Sequence, residues 1–266
     1  MATITDPARE LADICDALRH RHQDMGADVL AGTFGVPVWS TSFYQIIFTI
    51  SGRIDGLKDL VVDLDMDDDV KEHARQHLTE MMQAFTPGGL NNAWDHALKN
   101  FISSANVSAV RMLSPTVRQV HSYPKLDDVE IAELISELTE LLLWLDSHQI
   151  NEQDFIRQAI VDGLSQLVFR LERVKWLGWG YTVESLREVI GAYLALERGI
   201  TANQNPDAEA VLKKTLSFVS TFFEKVKFAQ ETVGGADFIL RAYGAVTLIT
   251  QGKAPIAGLL GSLAGS

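Results

Sequence analysis

The sequence predicts an all-α protein: a multi-helix bundle of eight to ten helices, in one compact body or two abutting bundles. Three observations predict it. Apolar residues recur every three or four positions through most of the 266 residues, the spacing that gathers them on one face of a helix. Candidate caps and Gly/Pro stops punctuate these runs at helix-length intervals. A composition 47% hydrophobic and 22% charged, with a single cysteine, excludes a disulfide scaffold and a disordered chain, so a packed apolar core must hold the helices.

Each element follows from its own pattern. Leu11, Ile14, Cys15 and Leu18 form an opening stripe, on which Cys15 reads as a small buried hydrophobe. Phe43, Ile46, Ile47, Ile50, Ile54, Leu57, Val61 and Leu64 mark a long helix, started by Ser40 or Ser42 as an N-terminal cap. A helix from about 67 to 85 carries Val70, Ala74, Leu78, Met81 and Phe85, and Thr86-Pro87-Gly88-Gly89 stops it. Leu90, Trp94, Leu98, Phe101 and Ile102 mark another. Residues 114–126, with two prolines and little periodicity, read as a connection and a candidate domain boundary.

Three helices are then expected. Asp127 or Asp128 caps the first, Asn151 the second and Thr182 the third, and Gly178 and Gly180 break the second. A long helix over 208–232 comes next, then a Gly-rich end. The expected organisation is an N-terminal helical region (1–113), a three-helix bundle (127–198) and a C-terminal long helix with an apolar tail (208–266), or all of these in one domain. The stretch 150–198, with its spaced leucines, glycine turn and short second helix, resembles a helical-hairpin pattern of uncharacterised bacterial proteins. That resemblance implies a helical hairpin and carries over no catalytic residue.

Charge narrows the function classes. Lys and Arg number 23 against 35 Asp and Glu, a net charge of −12, which disfavours nucleic acid as a partner. Residues 1–80 hold 7 basic and 15 acidic side chains, and 126–156 hold nine acids and no base. One cysteine points to a reducing compartment. There is no basic-then-apolar leader and no apolar run of roughly 18 residues, so a cytoplasmic protein is expected.

Four groups of residues are candidates for function. Trp176, Trp179 and Tyr181 crowd a helix–helix turn, and such aromatics anchor interfaces. Glu130, Glu133, Glu137 and Glu140 form one carboxylate stripe, read as lying opposite the apolar stripe of their helix and able to dock a basic partner. Asp65, Asp68 and Asp69 lie beside His73 and His77, which are one helical turn apart. Two imidazoles on one face can share a metal ion if another helix supplies a further ligand. The tail 232–266 has seven glycines and three charges. Its Val246, Leu248, Ile249, Leu259 and Leu260 are candidates for peripheral membrane contact at the inner face.

Catalytic signatures are missing. The acidic run lacks the glycine and glutamate of a calcium loop. No Gly-rich phosphate loop and no nucleophile motif is present. The sequence therefore predicts a non-enzymatic interaction or adaptor protein that binds a protein partner or self-associates, with no cofactor. A membrane-active helical effector of bacterial defence or toxicity is the alternative, and a metal-dependent all-α enzyme the second.

Overall fold

The computed structural model describes residues 3–20, 22–148, 154–184, 189 and 206–231. The all-α expectation holds for them: helices carry the chain, and two three-residue strands, β1 (Thr3–Thr5) and β2 (Tyr123–Lys125), pair as a small ribbon. The chain divides into two compact units. The first is Thr5–Ser122 with Lys175–Gly178, and the second holds Thr3–Ile4, Tyr123–Val174 and the described residues that follow Gly178. The division falls at Ser122–Tyr123, inside the 114–126 segment. The described parts of 127–198 and 208–266 share one unit, apart from Lys175–Gly178.

The first unit contains α1 (Pro7–Ala17), α2 (Gly26–Phe34), α3 (Thr41–Asp63), α4 (Asp68–Met82), a 3-10 turn (Gln83–Phe85), α5 (Pro87–Leu90), α6 (Trp94–Asn100), α7 (Ser104–Met112) and α8 (Ser114–Val120). Asp6 caps α1 by accepting from the Arg9 N–H, and Ser40 caps α3 by accepting from the Phe43 N–H. The long α3 packs on α4, while α1 packs on α3, α7 and α8. Phe43, Ile46, Ile50, Ile54 and Val61 of α3 are buried with Leu11, Cys15, Leu78 and Trp94. The Trp94 indole N–H donates to the Leu18 carbonyl at 3.1 Å, which satisfies its one polar atom inside the core.

One feature here corrects the sequence expectation. Residues 114–120 are helix α8 and not a connection. Pro115 lies in the first turn, where a helix needs no N–H from it, so proline did not mark a break. The helix expected over about 67–85 does stop where the sequence places its stop: the 3-10 turn ends at Phe85, Thr86 is extended, and Thr86 then caps the separate α5 from Pro87. Gly89 is required there: a Cβ would collide with the Gln83 carbonyl oxygen and lie 2.6 Å from that of Ala84.

The second unit is built from Thr3 and Ile4 of β1, β2, α9 (Asp128–Asp146), α10 (Asp154–Glu172), α12 (Trp179–Glu184) and α13 (Pro206–Glu231); between α10 and α12 comes α11 (Val174–Leu177), which belongs to the first unit from Lys175 on. Asp127 caps α9 in a reciprocal box, accepting from the Glu130 N–H while the Glu130 carboxylate accepts from the Asp127 N–H. Leu134, Leu138 and Leu145 of α9, Ile160, Leu164 and Leu167 of α10, and Val211, Val219 and Phe222 of α13 form one core. The expected third-helix cap is corrected: Thr182 lies inside α12 and is fully buried. Asn151, and the expected third helix apart from Val183, Glu184 and Val189, lie outside the described residues, and α10 already ends at Glu172, ahead of the two glycines.

Gly178 adopts a φ of +86°, a left-handed conformation that favours glycine. A Cβ there would sit 2.5 Å from the Arg53 guanidinium carbon. Beneath it Arg53 pairs with Glu10 at 2.7 Å, with both side chains mostly buried.

Candidate interaction surface

Of the aromatic turn, Trp179 does not present its ring as the sequence suggests. Trp179 is 1% exposed and stacks on Phe222 at 6.3 Å inside the core of the second unit. It is a core residue rather than a partner anchor, and Leu177 and Gly178 just before it are buried as well. Trp176 is half-buried, edge-on to Phe34 at 5.3 Å, with the Lys175 ammonium 4.7 Å above its ring. The Tyr181 side chain and the tail residues Val246, Leu248, Ile249, Leu259 and Leu260 lie outside the described set.

The glutamate stripe runs along α9 beside the buried Ile131, Leu134, Leu138 and Leu141, and not opposite them. Glu133 and Glu140 are exposed, while Glu130 and Glu137 are half-buried. Glu130 is already engaged in the cap. The bases on α10 and just after it have local partners: Arg157 bonds Asp154 and the Leu145 carbonyl, and Arg173 pairs with Glu172.

The Asp and His candidates separate in space. Asp65, Asp68 and Asp69 are exposed around the start of α4. The Asp69 carboxylate accepts from the Val70 N–H, and the His73 ring bonds the Asp69 carbonyl at 2.7 Å. His77 faces α7 instead, with its Nδ1 2.8 Å from the Asn106 side-chain oxygen. The Asn106 amide donates to the Phe101 carbonyl and the Glu80 carboxylate. Both of those are pure acceptors, so the amide oxygen must face His77 and Nδ1 must carry a proton. His77 is thus a clamp between α4 and α7 with a fixed tautomer. Among the described residues, no group of three or more His, Cys, Asp or Glu is placed to hold a metal ion, so these five residues do not form one ligand set. Cys15 is fully buried, and burial pushes its thiol up to about 12 against a partial pull from Arg53. It has no thiolate to offer near neutrality.

The surface that stands out lies on α3. Tyr44 and Phe48 are 41% and 69% exposed, and Trp39, just before the helix, is 43% exposed. Trp39 approaches Tyr44 at 5.9 Å, and Tyr44 stacks on Phe48 at 6.0 Å, so the three rings form a continuous ladder. Val38 extends it, at 38% exposed. Trp39 holds a φ of +59°, uncommon for any residue but glycine, asparagine or aspartate. Strain of this kind persists only where the surroundings enforce it. Here Trp39 also lies edge-on to the buried Phe43 at 5.5 Å, which fixes its ring at the head of the ladder.

Sequence reasoning passed over these residues because Phe43-Tyr44-Gln45-Ile46-Ile47-Phe48 is apolar on both sides of the helix. The available signal was that Tyr44 and Phe48, four apart, fall off the stripe occupied by Phe43, Ile46, Ile47 and Ile50. Along the same exposed face follow Gly52, Asp55, Gly56, Asp59 and Asp63. A Cβ at Gly52 or Gly56 would meet nothing within 4 Å, so nothing in the fold requires glycine there, although each costs a helix about 1 kcal/mol against alanine. Among the described residues no helix is long and apolar enough to cross a membrane. No family model, curated protein or solved structure matches the chain.

Proposed function

We propose that the chain is a non-enzymatic helical interaction protein, and that the Trp39–Tyr44–Phe48 ladder is where a protein partner sits. One observation carries this reading: three large aromatic rings, 41–69% exposed, form a continuous ladder, two on one face of α3 and the first just before it on left-handed backbone. Single exposed apolar residues are ordinary on a protein surface, but contiguous aromatic patches mark binding sites. Supporting it, the clusters that could have carried chemistry are spent on structure: Trp179 in a core, His77 on Asn106, and Glu130 in a cap.

The test is site-specific photocrosslinking. A benzophenone side chain replaces Phe48, and a second protein carries it at Leu143, a 69% exposed residue of α9. Irradiation in the cells that express the chain is expected to give a discrete adduct from position 48 and none from 143. Loss of that adduct in a Trp39→Ala background is also expected. No adduct at 48, or equal smears at both positions, would refute the proposal.

A further inference from the structure

We infer that the occupant of the α3 face is a basic amphipathic helix of another protein. This rests on the ladder being the interaction surface and adds what it recognises. Residues along the exposed face come in a definite order: Tyr44 and Phe48, then Gly52, Asp55 and Gly56, then Asp59 and Asp63. The face is aromatic at its N-terminal end, carries two glycines in the middle and is acidic from Asp55 to its C-terminal end. A helix of 23 residues is roughly 34 Å long, room for about six turns of a second helix.

The acidic end is strong. From Asp55 to Asp69 the chain has seven aspartates and one lysine. That lysine, Lys58, sits 3.5 Å from Asp55, and the next one, Lys71, donates to the Val62 carbonyl. Asp59, Asp63, Asp65, Asp67, Asp68 and Asp69 are all exposed. Charge of one sign beside an apolar anchor selects a partner of the opposite sign and speeds its encounter. The bare glycines let a second helix approach the α3 backbone closely, which a side chain would prevent. A second copy of this chain fits worse. Laid parallel it sets the same aspartates against one another, and laid antiparallel about Gly52 it faces Asp59 with Gln45 and no base. Anionic lipid and nucleic acid are repelled. The helix-in-groove mode, with apolar anchors at one end and Lys/Arg at the other, matches this order. The apolar part covers on the order of 400 Å² per partner, below the roughly 800 Å² of a standard interface, so a micromolar, salt-sensitive complex is expected.

The probe is a fluorescein-labelled 18-residue peptide of leucine and lysine with leucines at helical spacing, followed by anisotropy with the full chain. Micromolar binding is expected, weakening as salt rises. Asp55→Asn/Asp59→Asn/Asp63→Asn is expected to weaken it at least tenfold, and Phe48→Ser at least tenfold. Glu133→Gln/Glu140→Gln on α9 should leave it unchanged, and circular dichroism checks that each variant keeps its helix content. No binding, equal binding of the same peptide with glutamate for lysine, or equal loss in the α9 variant would overturn the inference. The peptide is also added to the crosslinking experiment. An adduct at position 48 that the lysine peptide does not displace, or one of twice the chain mass, removes the basic-helix inference while the interaction reading stands. Absence of any adduct removes both.

Discussion

Replacing Asp6 by alanine should destabilise the first unit by about 3 kcal/mol, and the figure follows from four bonds. Asp6 is fully buried. One oxygen accepts from the Arg9 N–H at 2.9 Å, and the other accepts from the Ser114 hydroxyl at 2.6 Å and from Arg118 at 3.2 and 3.3 Å. Loss of a helix cap costs about 1 kcal/mol. A buried hydroxyl left without its acceptor costs about 1–2 kcal/mol. The Arg118 side chain is 43% exposed, so water screens that pair and it adds only about 0.5 kcal/mol. The sum would lower the transition of the first unit by about 12 °C, at roughly 4 °C per kcal/mol for a body of this size. Urea and thermal unfolding followed by circular dichroism measure it, with Ser114→Ala and the double variant completing a cycle. Because removing Ser114 also removes the stranded hydroxyl, the double variant should be about 1 kcal/mol more stable than the sum of the single losses implies. A loss below 1 kcal/mol for Asp6→Ala, or strict additivity, would show that these bonds do not act as the linked anchor of α1 on α8.

Further outcomes are expected from other sites. Gly89→Ala should cost at least about 3 kcal/mol, since its methyl meets backbone that cannot step aside, whereas Gly52→Ala and Gly56→Ala should each stabilise by up to about 1 kcal/mol; denaturant midpoints of the three variants decide. Trp179→Ala should lose about 3–5 kcal/mol of stability by emptying a core position, with the melting curve as readout, and an unchanged melt would return that ring to the surface. Cys15 should resist a water-soluble thiol reagent until the protein unfolds. Its thiol is raised by burial from 9.0 to about 12, so between those values the unfolded chain releases the proton and the folded one keeps it. Stability from this group is therefore present in full below pH 9 and falls as pH rises toward 12, by up to about 1.4 kcal/mol per pH unit; Cys15→Ala should flatten that slope in alkaline unfolding. Asn106→Ala should cost about 2 kcal/mol and release the fixed His77 tautomer, visible in the nitrogen shifts of the ring.

Long helices were legible; of the short ones α6 showed through Trp94 and Leu98, while α2, α7 and α8 did not. α3 and α9 announce themselves through five or more stripe residues and a capping Ser40 or Asp127, because a stripe needs several turns to show its period. α7 and α8 run two turns each, too few for periodicity, and α8 carries a proline that is harmless in its first turn. Burial at turns was hidden for a different reason. Glycine-bearing sequence is expected at a surface, yet Leu177, Gly178, Trp179 and Thr182 are all buried. The ladder was obscured by abundance: with apolar residues on both flanks of α3, residue type alone could not separate Phe43, which is buried, from Tyr44, which is not. The Asp and His cluster was visible as a list of residues, but helix rotation decides that His77 meets α7 while His73 folds back on its own backbone.

Lys175–Gly178 belongs to the first unit although the chain on either side of it belongs to the second. A polypeptide ending at Ser122 would leave the Phe34 edge and the Arg53 guanidinium without Trp176 and Gly178 over them. The first unit is thus finished only after some fifty further residues have been made, so a growing chain on the ribosome holds it unroofed until that late stitch arrives.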